Sequence, residues 1–126
     1  MASEAIIYVV DDDPSVRRSL VRILSRSGWR VQAYASGSDF LEAYEAGQSG
    51  CIVLDLRMPD MSGLEVQMQL VARGNTMPVI VVTAFSDMPI TDQVMQAGAI
   101  AVLEKPVWNQ RLLTLIEQIT HHQFKP

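Results

Sequence analysis

Cysteine is almost absent: Cys51 is the only one in 126 residues. No internal disulfide can form, and a reducing, cytoplasmic setting is expected. Positive charge is also scarce. The net charge is −4, and lysine occurs only at Lys105 and Lys125. That balance argues against nucleic acid as a direct partner of this stretch. No apolar run exceeds the length of a strand, so no membrane span is expected. No basic stretch leads into a long apolar run, so no secretory signal is expected either. Repeats and low-complexity tracts are missing, and only the last residues, 122–126, have the composition of a linker's start. What the chain does have is 48% hydrophobic residues. That is enough for one domain with a core that needs neither metal nor disulfide to hold it.

The apolar residues fall into two periodicities. Ile6–Val10, Arg30–Tyr34, Cys51–Leu54, Val79–Val82 and Ala101–Glu104 are strand-like, and all but the second are largely apolar. Helical spacing lies between and after them. Asp13 is placed to cap a helix with Pro14 at its first position, and Gly28 to stop it. Ser36 with Asp39 resembles a capping box opening a helix through Ala46, and Ser62 with Glu65 another opening a helix to about Arg73. A weak helix is expected over Pro89–Ala97. A final helix carries Trp108, Leu112, Leu115, Ile116 and Ile119 on one face.

Five strands alternating with five helices predict an α/β fold: a single doubly wound, five-stranded parallel sheet covered on both faces, flavodoxin- or CheY-like. In such sheets ligands bind at the carboxyl ends of the strands. Those ends carry the polar residues that look out of place in the sequence. Asp11 and Asp12 end the first strand, Asp55 the third, Thr83 the fourth and Lys105 the fifth. Clustered carboxylates repel one another, and a hard cation such as Mg²⁺ relieves that repulsion. With a lysine and a hydroxyl beside them, the carboxylates describe a phosphoryl-handling site with an aspartate as candidate nucleophile.

The segments "VVDDDPSVR", "VLDLRMPDMSGLE", "VIVVTAF" and "VLEKPV", in that order, closely resemble the response-regulator receiver domain of bacterial two-component signalling. The likeness runs from about Ala5 to His121. The middle motif and "MQAGAIAVLEKP" look most like FixJ-type receivers, which usually precede a LuxR-type helix-turn-helix domain. The resemblance implies that Asp55 accepts a phosphoryl group from a sensor histidine kinase. It implies Mg²⁺ as cofactor, bound by Asp12 and Asp55, by Asp11 mainly through a water, and by the backbone carbonyl of Arg57. Thr83 would bond a phosphoryl oxygen and Lys105 would pair with its charge. The Lys105–Pro106 bond would be cis. The domain would catalyse only its own phosphorylation and dephosphorylation on Asp55. Its output would be a phosphorylation-dependent homodimer through the fourth helix and fifth strand. DNA would be reached only through a separate output domain. The positions flanking the acceptor would be Arg57 and Phe85, which would shield the acyl phosphate and slow its loss. The chain departs from the family at Val102, where Tyr or Phe is common, so switching is expected to run through Thr83 and the loop after it.

Blander readings stand beside these. Asp13 fits a helix cap better than a ligand, and Asp60 a solvated turn. Cys51 fits inert core, Trp108 a packing anchor, and Met58 and Met61 gap filling. His121 and His122 fit a solvated tail. A stand-alone receiver in a phosphorelay is an alternative. So is a haloacid-dehalogenase-type phosphatase using Asp11 and Asp13, although Asp55 would then lack a role. A flavin-binding module is disfavoured, since "DDDPS" has the wrong sign for phosphate without a metal.

Overall fold

A computed structural model describes residues 5–83, 88–105 and 110–124, the side chains of 88, 89 and 121–124 excepted. Trp108, Phe85 and the Lys105–Pro106 bond lie outside the described residues, as do the side chains of His121 and His122. The elements follow the expected alternation. They are β1 Ile6–Val10, α1 Pro14–Arg26, β2 Arg30–Tyr34, α2 Gly37–Ala43, β3 Gly50–Asp55, α3 Gly63–Ala72, β4 Val79–Thr83, α4 Met88–Gln96, β5 Ala101–Glu104 and α5 Gln110–Phe124. All strand pairs are parallel, in the order β2-β1-β3-β4-β5. The order reverses between β1 and β3, and a crevice opens at the carboxyl ends of strands flanking such a reversal.

Alternation along the strands divides the core in two. Tyr8, Val10, Ile52, Leu54, Val79 and Val81 face α2, α3 and α4, where Phe40, Leu41, Val66, Leu70 and Val94 meet them. Ile7, Val9, Cys51, Val53, Ile80 and Val82 face α1 and α5, against Leu20, Leu24, Leu112 and Ile116. Every residue of β3 and β4 is buried. Each such aliphatic side chain contributes about 1.5–3 kcal/mol of transfer free energy. This burial anchors the two strands that deliver Asp55 and Thr83. Cys51 is fully buried, and burial pushes its thiol up to about 12, so it is inert core as read.

The caps form where the side-chain chemistry places them. Asp13 accepts from the backbone N–H of Ser15 and Val16 at 2.9 and 3.4 Å. Ser62 and Glu65 complete a reciprocal capping box at the start of α3. Ser36 accepts from the Asp39 N–H at 3.0 Å. α2 is shorter than its spacing suggests, ending at Ala43 rather than Ala46. The cause is tertiary. Tyr44 leaves the helical path to set its ring 6.0 Å from that of Phe40 and to donate its hydroxyl to Asn75 Oδ1 at 2.9 Å. The Arg73 guanidinium takes the place of the next helical turn by donating to the Leu41 carbonyl at 2.7 Å.

Candidate functional site

Parallel strands end on one edge, and there the structure brings Asp11, Asp12, Asp55, Thr83 and Lys105 together. Register places Thr83 opposite Glu104, and the Lys105 N–H donates to the Thr83 carbonyl at 2.8 Å. Lys105 Nζ reaches across the edge to both acids, 3.1 Å from Asp11 Oδ2 and 3.2 Å from Asp55 Oδ1. Asp11, Asp55 and Thr83 are almost wholly buried, whereas Asp12 is exposed. One carboxylate oxygen from each of Asp11, Asp12 and Asp55 lies within 4.8 Å of the others.

These positions perturb Asp55 and Lys105. The Asp55 carboxyl is pushed up from 3.8 to about 6, first by burial, then by the negative charge of Asp11. Its contact with Asp12 adds to the rise, and Lys105 opposes it. On Lys105, burial pulls the ammonium down, but contact with Asp11 and the charges of both acids outweigh it and leave the value raised. Among the described residues, two buried carboxylates thus share the Lys105 ammonium, which leaves net negative charge between them.

Asp11 Oδ2 is buried, and among the described residues its one close partner is the Lys105 ammonium at 3.1 Å. A buried carboxylate oxygen that shares its only cation with a second acid remains under-neutralised. The donor set is all oxygen, and Mg²⁺ takes such ligands at about 2.0–2.1 Å while keeping several waters. Two buried acids and one exposed acid, each offering an oxygen, suit that requirement. The acidic cluster can hold a metal ion.

The loop after Asp55 is held by backbone. The Leu56 N–H donates to the Val82 carbonyl at 2.9 Å, and the Gly63 N–H returns to the Leu56 carbonyl at 2.8 Å. A Cβ on Gly63 would stand 2.6 Å from the Asp55 carbonyl oxygen, so only glycine lets α3 start so close to the acceptor strand. Within the loop Met58 is buried and Met61 packs against the same core, as gap filling predicts. Arg57 is exposed. Asp60 is exposed too, yet it is tied down, accepting from the Ser38 hydroxyl at 2.8 Å. Val102, where an aromatic is common, is half-buried and packs against the α3–α4 side of the core.

The sequence matches the response regulator receiver domain over residues 7–117. The chain belongs to this family. FixJ of Azorhizobium caulinodans, a transcriptional regulatory protein, is 46% identical over 100 residues, 79% of this chain and 47% of that protein. Among solved structures, the response regulator StyR superposes with a TM-score of 0.88 at 44% identity, over 95% of this chain and 61% of that one. FixJ-N superposes with a TM-score of 0.86 at 35% identity, over 96% and 97%. The receiver fold expected from the sequence is thus the observed one, and a receiver is a response-regulator domain rather than a free-standing enzyme. The chain spans about half the length of the curated relatives it matches. Among the described residues, no helix is long and apolar enough to cross a membrane.

Sequence reasoning missed three contributors. Arg17 donates to the Asp11 carbonyl at 2.7 Å. Gln67, buried inside α3, donates to the Val94 carbonyl of α4 at 3.1 Å. The Ser38–Asp60 bond joins α2 to the acceptor loop. Each is a long side chain or a long-range pair, for which linear spacing carries no signal.

Proposed function

We propose that Asp55 accepts a phosphoryl group from a phosphohistidine of a sensor kinase and that the domain itself supports the transfer. An Asp55 carboxylate oxygen attacks phosphorus, the phosphorus–nitrogen bond breaks, and the imidazole recovers its electron pair and takes up a proton. The observation that carries this reading is the buried Asp55 carboxylate held 3.2 Å from Lys105, with Asp11 beside it paired to the same ammonium at 3.1 Å. Phosphoryl transfer needs little covalent help from a protein, only positioning and neutralisation of oxygen charge. Lys105 supplies a fixed positive charge for the transferred group. The Thr83 hydroxyl is the candidate donor to a phosphoryl oxygen. Asp11, Asp12, Asp55 and the Arg57 carbonyl are the candidate holders of Mg²⁺, which when bound neutralises acid and phosphoryl charge together.

The same reading makes this a cytoplasmic receiver that controls transcription through a LuxR-type DNA-binding domain, switching a dimer surface on α4 and β5. Its support is the relatives' description as transcriptional regulatory proteins and their greater length. The test of the chemistry uses Mg²⁺ and acetyl phosphate, with intact mass and peptide mapping as readouts. Wild type should gain one phosphoryl group on Asp55, and Asp55→Asn none. Labelling that survives Asp55→Asn and vanishes in Asp11→Asn would instead favour the phosphatase alternative.

A further inference from the structure

Asp11 is pinned at nearly every polar atom. Its N–H donates to the Tyr34 carbonyl of β2 at 3.1 Å. Its Oδ1 accepts from the Asp13 N–H at 2.9 Å. Its carbonyl accepts from Arg17 Nη1 at 2.7 Å, a bond that reaches back from the first turns of α1 to the end of β1. Oδ2 is paired with the Lys105 ammonium at 3.1 Å and, among the described residues, has no further partner.

Of these anchors, Arg17 is the one made by a side chain from another element. Its placement is physically unexpected. A guanidinium nearby eases the repulsion among the acids of the empty site, yet it repels any cation they attract, so its charge alone would weaken cation binding. The half-buried Arg17 is aimed at a backbone carbonyl rather than at a carboxylate. The bond therefore serves geometry. A charge-assisted bond to the carbonyl fixes the peptide between Asp11 and Asp12, and with it the directions in which both acids leave the strand.

We propose that Arg17 is a positioning residue for cation binding: it holds the Asp11–Asp12 peptide so that Asp11 Oδ2 and the Asp12 carboxylate converge on one ion. The proposal rests on the reading of the acidic cluster as a Mg²⁺ site. It makes a prediction opposite in sign to electrostatics. Loss of a positive charge beside a cation site should tighten binding, whereas loss of an anchor should loosen it.

The experiment measures Mg²⁺ affinity by calorimetric titration of unphosphorylated protein, with thermal melts in chelator to follow folding. The variants are Arg17→Met, which keeps the apolar stem, and Arg17→Lys, which keeps the charge with a less directional donor. Positioning predicts that Arg17→Met binds Mg²⁺ on the order of tenfold more weakly, about the effect of one charged hydrogen bond. Arg17→Lys should fall between that variant and wild type. Tighter binding by Arg17→Met, with Arg17→Lys equal to wild type, would show that only charge matters and would overturn the proposal. So would unchanged affinity in both variants. If Arg17→Met melts early, Arg17→Lys at wild-type melting temperature still decides the point, since an intermediate affinity supports positioning and a wild-type affinity does not. A wild-type protein that binds no Mg²⁺ would remove the metal reading itself, and the proposal with it.

Discussion

Gly63 is the position where helix propensity and packing give opposite answers. It is the first residue of α3, after the Ser62 cap. Replacing glycine by alanine in a helix gains up to about 1 kcal/mol from reduced backbone freedom. Here, however, the new Cβ would lie 2.6 Å from the Asp55 carbonyl oxygen and 2.9 Å from Leu56 Cα. Ordinary contact begins near 3.4 Å. Both obstacles are backbone, at the end of a fully buried strand, so neither can swing aside. α3 must back away by most of an ångström, which strains the 2.8 Å bond from the Gly63 N–H to the Leu56 carbonyl. Overpacking of this kind costs about 1–3 kcal/mol, and a weakened buried hydrogen bond about 1 more. After the propensity gain, Gly63→Ala should destabilise by about 1–3 kcal/mol. In urea, with a slope of about 1–3 kcal/mol per molar, the midpoint should fall by roughly 1 M. The damage should also reach the site, because the displaced carbonyl belongs to Asp55, and acceptance of phosphoryl from acetyl phosphate should slow. Gly74→Ala is the control. Its φ of +75 gives it a backbone cost of its own, but no atom lies within 4 Å, so it should lose stability and leave phosphorylation unchanged. A Gly63→Ala protein as stable as wild type would show that the close approach is relieved without cost, and the packing argument would fail.

Two further predictions concern charge. Asp55 titrates near 6 in the fold, raised mainly by burial and then by Asp11, against about 3.9 in an unfolded chain. The folded state therefore holds the extra proton between about pH 4 and 6, so this group's stabilising contribution is complete below about pH 4 and is lost as pH rises through 6. In chelator, Asp55→Asn should exceed wild type in stability by roughly 1–3 kcal/mol at pH 7.5, less screening by solvent at the site's mouth, and the gap should narrow by pH 5. Urea melts at the two pH values measure it, and a constant gap would contradict the stated cause. On α1, Arg18, Arg22 and Arg26 recur at intervals of four, and no acidic residue occurs from Pro14 to Ser38. All three are exposed. Arg22→Glu replaces two like-charge pairs by two opposite ones, each worth about 0.2–0.5 kcal/mol, so stability should rise by roughly 1 kcal/mol at low salt and by less at high salt. A loss of stability at low salt would mean that Arg22 has a favourable partner in solution.

What could be read from the sequence was what local chemistry decides. Ser62 with Glu65 signals a cap because the partners are three residues apart and their geometry is set by the helix itself. Strand identity followed from apolar runs, and the convergence of Asp11, Asp55, Thr83 and Lys105 followed from a single rule about parallel sheets. What could not be read depends on distance in space. The early end of α2 is decided by Tyr44 reaching Asn75, 31 residues away, and by Arg73 reaching Leu41, 32 residues away. The burial of Gln67 against α4 depends on Val94, 27 residues away. A glutamine on an amphipathic helix reads as solvent-facing until the neighbouring helix is in place.

The three aspartates after β1 show how far local reasoning reaches. They are adjacent, equally charged and indistinguishable by composition, yet the structure gives each a different task. Asp13 turns away to cap α1, a role fixed by Pro14 and legible from sequence. Asp12 is exposed, where water can complete the shell of an ion. Asp11 goes into the interior. Lys105, 94 residues later, stands 3.1 Å from it, and the same ammonium also stands 3.2 Å from Asp55. One lysine cannot neutralise two buried acids. The residual negative charge is what a divalent cation would relieve. Replacing Lys105 by an uncharged residue would leave both acids unpaired, so the acidic run after β1 and the lysine after β5 are physically one feature, separated by most of the chain and joined only by the fold.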